Sequence, residues 1–288
     1  MVKKIALQTG ITVQFAEQGS ATGIPVVFLH GVTDSWRSFE PVMNWLPPTV
    51  RALSLTQRGH GGSGKPAGGY RYADFAADLR AFLDALHLPY AVIVGHSMGS
   101  LVAQRFAADH PARVAGLVLL GAFGTLHQRV LFEESTLDAL VDPVDVGFIR
   151  EFQVSTVERA IAPELLAAMV DESRAVPARV WRATFQGFRD TPDFSRELAR
   201  LRAPVLIMWG DRDQYALSTD QEAIRAAIPG ARMIVHRGGG HAIHWEDPAR
   251  VANDLVAFLY ERRELTHPEV VEHARRTHPY RVARIAAR

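Results

Sequence analysis

Residues 90–100 read YAVIVGHSMGS: an apolar, β-branched run ends at Gly95, Ser97 sits between Gly95 and Gly99, and helical periodicity resumes almost at once. A strand that passes into a helix with so little chain between them leaves few folds open. It requires a βα unit in which strand and helix pack closely, and glycines remove the side chains that would keep them apart. Ser97 then stands exposed at the C-terminal end of a sheet strand, in the strained backbone of a sharp turn. The helix N-terminus beneath it offers a positive dipole and free N–H groups to any negative charge that forms there.

The same alternation of short β-branched runs and amphipathic stretches recurs along the chain. Strands are expected at Lys4–Gln8, Thr12–Gln18, Pro25–His30, Arg51–Thr56, Ala91–Gly95, Ala115–Leu120, Val205–Gly210 and Arg232–His236. Helices are expected at Ala73–Leu86, Leu101–Asp109, Gln221–Ala227 and Arg250–Tyr260, where apolar residues recur three and four apart. An α/β fold follows, with a mostly parallel eight-stranded sheet flanked by helices and a hairpin through Thr9-Gly10. From Gly124 to Arg200 the strand signal vanishes and helical segments are broken by Pro143, Pro163, Pro177 and Pro192. Residues 124–200 therefore read as a helical insertion into a sheet domain made of 1–123 and 201–265. Most of its aromatic side chains are expected to form the insertion's own small core. Trp181 and Phe185, on one helical face, are the first candidates to wall a pocket. Residues 266–288 read as a basic tail.

Composition removes several classes of function. With 32 basic and 31 acidic side chains the net charge is +1, too little for a broad field toward nucleic acid or a membrane surface. No cysteine is present, which excludes disulfides, thiolate metal sites and a cysteine nucleophile. The N-terminal residues lack the apolar core of a signal peptide, and no apolar run approaches the length of a membrane span. The expectation is a cytoplasmic protein with a small-molecule substrate; association with copies of itself is left open.

One motif misleads. GHGGSGKP, residues 59–66, comes close to a phosphate-binding loop, but Pro66 stands where a Mg²⁺-binding hydroxyl would be needed, and helical pattern resumes only near Tyr72. Nucleotide binding is not expected.

A serine hydroxyl is a weak nucleophile near neutral pH, so Ser97 calls for a histidine base and a carboxylate to orient it. The chain supplies both in loops after strands: Asp213 in WGDRD and His241 in RGGGHAIHWEDP. His241 directly follows three glycines, whereas His244 reads as part of the pocket floor. The backbone N–H groups of Met98 and of Val32, in LHGVTDSW, are candidate oxyanion donors, and His30 opens that same loop at the pocket. A metal site from His236, His241, His244 and Glu246 lacks a recognised ligand spacing.

Taken in order, HGVTDSW, RGHGGSGKP, GHSMGS, WGDRD and GGGHAIHWEDP resemble the landmarks of the α/β-hydrolases over residues 3–262. The resemblance implies a lid inserted after the sixth strand, a serine–histidine–aspartate triad and no cofactor or metal. It favours Asp213 over Asp211 as the triad acid. Thr56 departs from the family, many of whose members carry aspartate there. The implied activity is hydrolysis of a small carboxylic ester or lactone by Ser97, Asp213 and His241. Cofactor-free perhydrolysis, C–C bond hydrolysis and a ligand receptor with little turnover are the alternatives.

Overall fold

Eight strands form one sheet in the computed structural model, which describes residues 1–126 and 131–261. They are β1 (Val2–Ala6), β2 (Thr12–Gln18), β3 (Ile24–Leu29), β4 (Val50–Leu55), β5 (Ala91–His96), β6 (Val114–Leu120), β7 (Val205–Gly210) and β8 (Arg232–His236). Their order is β1-β2-β4-β3-β5-β6-β7-β8. The β1–β2 and β2–β4 pairs are antiparallel, and every other pair is parallel.

The strands sort their side chains by period two. Val27, Leu29, Ile93, Leu117 and Ile207 face one apolar cluster; Val26, Phe28, Val92, Val94, Leu206 and Met208 face the other. Both faces are covered, so the central strands are buried almost throughout and read as unbroken apolar runs. The helices Tyr72–Ala85 and Met98–Asp109 cover the first face. The helix Pro248–Glu261 and the short turns around Phe39 and Val42 cover the second.

Boundaries moved where pairing overruled local pattern. β1 ends at Ala6, opposite Thr12, because Leu7 N–H bonds to Ile11 O and closes the turn two residues earlier than expected. The helix expected from Leu101 begins at Met98, directly after Ser97. Periodicity could not register that first turn, since Gly99 and Ser100 carry no apolar side chain.

Between β6 and β7 the described residues form five helices: Glu134–Asp138, Val146–Val154, Pro163–Arg174, Ala178–Asp190 and Ser195–Leu198. Their aromatics do not form a separate core. Trp181, Phe185 and Phe188 belong to the cluster under the first sheet face, with Phe188 stacked on Tyr72 at 4.8 Å. Gly187 makes this approach feasible, since a Cβ there would lie 2.1 Å from Tyr70 O.

The glycine-rich stretch after β4 is a turn. Ser63 Oγ donates to Thr56 O and accepts from Gln14 N–H, and Arg58 holds Asp78 through two short bonds. Thr56, the departure from the family pattern, uses Oγ1 to accept from Trp36 N–H at 3.1 Å. The expected tail, 266–288, lies outside the described residues, as do 262–265 at the end of the expected sheet domain.

Candidate functional site

The sheet order turns back on itself at β3, which has β4 on one side and β5 on the other. In open α/β sheets the crevice beyond the carboxyl ends of strands at such a point is where ligands bind. Gly31 and Val32 follow β3 there, and Ser97 follows β5.

Ser97 has φ 52° and ψ −118°, a conformation that L residues rarely hold. Close packing enforces it. A Cβ on Gly95 would lie 2.2 Å from Gly99 O, and one on Gly99 would lie 2.1 Å from Leu29 O. Ser97 N–H bonds to Leu120 O of β6, tying the turn to the neighbouring strand. Met98 opens the helix, and N–H groups of a first helical turn have no acceptor within the helix. Ser97 is only 8% exposed, because it opens into a cavity under the inserted helices rather than to bulk water.

His241 and Asp213 come from the loops after β8 and β7. His241 Nδ1 lies 2.9 Å from Asp213 Oδ2, while Asp213 Oδ1 accepts from the N–H groups of Tyr215 and Ala216 at 2.8 and 2.9 Å. The second carboxylate oxygen is thereby aimed at the imidazole. Gly121 leaves room for the ring: a Cβ there would lie 2.9 Å from His241 Nδ1. Asp211 is engaged elsewhere, accepting from Gly238 N–H at 2.5 Å.

Val32, Ser97, Phe185 and His241 line one cavity with Phe123, Phe132, Phe152, Tyr215 and Trp245. The other expected pocket residues stand behind it. Trp181 is fully buried against Phe148, Phe152 and Phe185. His30 Nδ1–H donates to Gly31 O and its Nε2 accepts from Gln57 N–H, fixing the loop from below. His244 stacks on Phe39 and bonds to Ser38 Oγ at 3.0 Å. His236 pairs with Asp254, and Glu246 accepts from Gly240 N–H, so the four residues weighed as metal ligands have separate partners.

Sequence reasoning missed the polar wall of the cavity. Asp34 is buried there, accepting from Ser38 Oγ at 3.0 Å and from Gln153 Nε2 at 3.2 Å. Gln153 belongs to the inserted helix Val146–Val154 and also donates to Ser173 Oγ. Burial pushes the Asp34 carboxyl up to about 7 against the pull of those hydrogen bonds and of nearby His241. His96 also lines the cavity; its Nε2–H donates to His241 O, leaving a buried, unpartnered lone pair on Nδ1. Burial and the neighbouring His244 and His241 hold its pKa well below the usual histidine range. His244 is pushed down to about 3 by burial. The residue types of Asp34 and Gln153 are visible in the sequence, but their meeting across 119 positions is not.

The family model of the alpha/beta hydrolase fold matches residues 24–248. A 2-(acetamidomethylene)succinate hydrolase from Mesorhizobium japonicum is 33% identical over 263 residues, 86% of this chain and 92% of its own. The AB hydrolase superfamily protein YisY of Bacillus subtilis is 29% identical over 253 residues, 82% of this chain and 91% of its own. Among solved structures, an esterase from Exiguobacterium antarcticum matches with a TM-score of 0.80 at 25% identity, covering 90% of this chain and 99% of that one. Among the described residues no helix is long and apolar enough to cross a membrane.

Proposed function

The chain belongs to the α/β-hydrolase fold family, and from that premise we propose that it cleaves a small carboxylic ester or lactone through an acyl-enzyme on Ser97. The observation that carries this reading is the 2.9 Å contact of His241 Nδ1 with Asp213 Oδ2 beside a strained serine in the same cavity. His241 Nε2 takes the proton of Ser97 as its oxygen attacks the carbonyl carbon. Asp213 keeps the imidazole proton on Nδ1 and stabilises the imidazolium that forms. The N–H groups of Val32 and Met98 stabilise the tetrahedral oxyanion, with about 3 kcal/mol typical for one such donor. The imidazolium returns the proton to the leaving alkoxide, and water then releases the acid with His241 again as base. The helices between β6 and β7 act as the lid that keeps bulk water from the acyl-enzyme.

The Mesorhizobium relative is named for a succinate derivative. The cavity here has no Lys or Arg in its described lining and has one buried acid, which disfavours an anionic substrate. Steady-state hydrolysis of p-nitrophenyl acetate and butyrate tests the reading. Wild-type kcat/KM is expected to exceed that of Ser97→Ala by orders of magnitude; equal rates would favour a ligand receptor.

A further inference from the structure

Asp34 is 3% exposed and lines the cavity, yet among the described residues no Lys or Arg lies within ion-pair distance of it. Its hydrogen bonds from Ser38 and Gln153 orient the carboxyl but come from neutral groups. The rest of the wall is largely aromatic, with Phe123, Phe132, Phe152, Phe185, Tyr215 and Trp245 on the same space, which is partly open to solvent. A buried carboxylate without a cation is costly, and the protein's own remedy is to hold a proton, which is why its pKa stands near 7. A ligand that brings a positive charge supplies the other remedy. Aromatic faces attract the same charge through their quadrupoles, most strongly when water is excluded.

We propose that Asp34 and the surrounding aromatic rings form a cation-selective subsite, so that the preferred ester carries a quaternary or protonated amine within reach of Asp34. The proposal rests on the serine-hydrolase reading for the word ester; the binding site itself does not depend on turnover. Asp34 lies two residues after Val32, so the ammonium sits beside the scissile carbonyl. Its charge offsets that of Asp34, which when ionised and unpaired would oppose the oxyanion forming nearby.

Binding and turnover are tested separately. Choline and 3,3-dimethylbutan-1-ol have nearly the same shape and differ in charge; each is titrated calorimetrically into Ser97→Ala and into Ser97→Ala/Asp34→Asn. The first protein is expected to bind choline at least tenfold more tightly than the neutral alcohol, and the second to lose that preference. No preference in Ser97→Ala overturns the proposal whether or not the second protein folds, and a preference that survives Asp34→Asn overturns the assignment to Asp34. In parallel, kcat/KM for butyrylcholine is compared with that for 3,3-dimethylbutyl butyrate in wild type and Asp34→Asn. Turnover of both esters at equal efficiency refutes the subsite and leaves the hydrolase reading standing. Choline binding without turnover of either ester does the reverse.

Discussion

Replacing Asp213 by asparagine should nearly abolish activity while leaving the fold intact, and the geometry says why. Asp213 Oδ1 accepts two backbone N–H groups, from Tyr215 at 2.8 Å and Ala216 at 2.9 Å, while Oδ2 faces His241 Nδ1 at 2.9 Å. An asparagine has one oxygen, and it must turn toward the two backbone donors. The opposite rotamer would leave both donors facing an NH₂, at about 1–3 kcal/mol for each unsatisfied group. The amide NH₂ is therefore directed at Nδ1, which must then present a lone pair. The imidazole proton moves to Nε2, the atom that has to accept the proton of Ser97. A base in the wrong tautomer lowers kcat by about 10⁴ in comparable triads, or roughly 5.5 kcal/mol in the barrier. The assay is steady-state hydrolysis of p-nitrophenyl butyrate with thermal unfolding as a control. Asp213→Asn should keep its Tm within a few degrees, and Asp211→Asn, whose carboxylate holds Gly238 N–H instead, should retain most activity. Retention of more than a tenth of kcat by Asp213→Asn, or an equal loss in Asp211→Asn, would refute the reasoning.

Phe185→Ala should alter the ranking of acetyl, butyryl and octanoyl esters, because that ring lines the cavity. Trp181→Ala should keep the ranking and lose about 3–5 kcal/mol of stability, as a fully buried side chain does; kcat/KM series and urea titrations separate the two. Asp34 titrates near 7 in the folded chain and near 3.9 when unfolded. Its contribution to stability is thus fully present below about pH 4 and lost as pH rises through 7. Asp34→Asn does not titrate, so its stability relative to wild type should rise by roughly 3 kcal/mol between pH 5 and pH 8, measured by urea unfolding at each pH. Gly99→Ala should cost about 3 kcal/mol or more and abolish hydrolysis, since its Cβ would lie 2.1 Å from Leu29 O.

The sheet was legible because its central strands are covered on both faces and their apolar runs are unbroken. The positions of Ser97, Asp213 and His241 were legible for a related reason: each lies past a strand end, where the fold gathers side chains from distant segments. The pocket wall was not legible. Trp181 and Phe185 are four residues apart on one helical face, yet one turn along the helix axis separates a ring in the cavity from a ring behind it. Asp34 looked like part of a loop landmark, and Gln153 like one polar residue in an amphipathic helix. Their contact is made by the docking of the inserted helices over the β3 loop, which no local spacing encodes. The glycines were read for their smallness, and the 2.1–2.2 Å approaches at Gly95 and Gly99 give that reading its physical content.

The central claim is that Ser97 is an activated nucleophile. Treating the protein with a fluorophosphonate and measuring intact mass and the modified peptide tests it most directly, since an unactivated serine reacts slowly with such a reagent. One adduct per chain is expected, on the peptide that contains Ser97, with none on Ser97→Ala and strongly slowed labelling in a His241→Ala variant. An unlabelled wild-type protein, or labelling that persists in Ser97→Ala, would contradict the account.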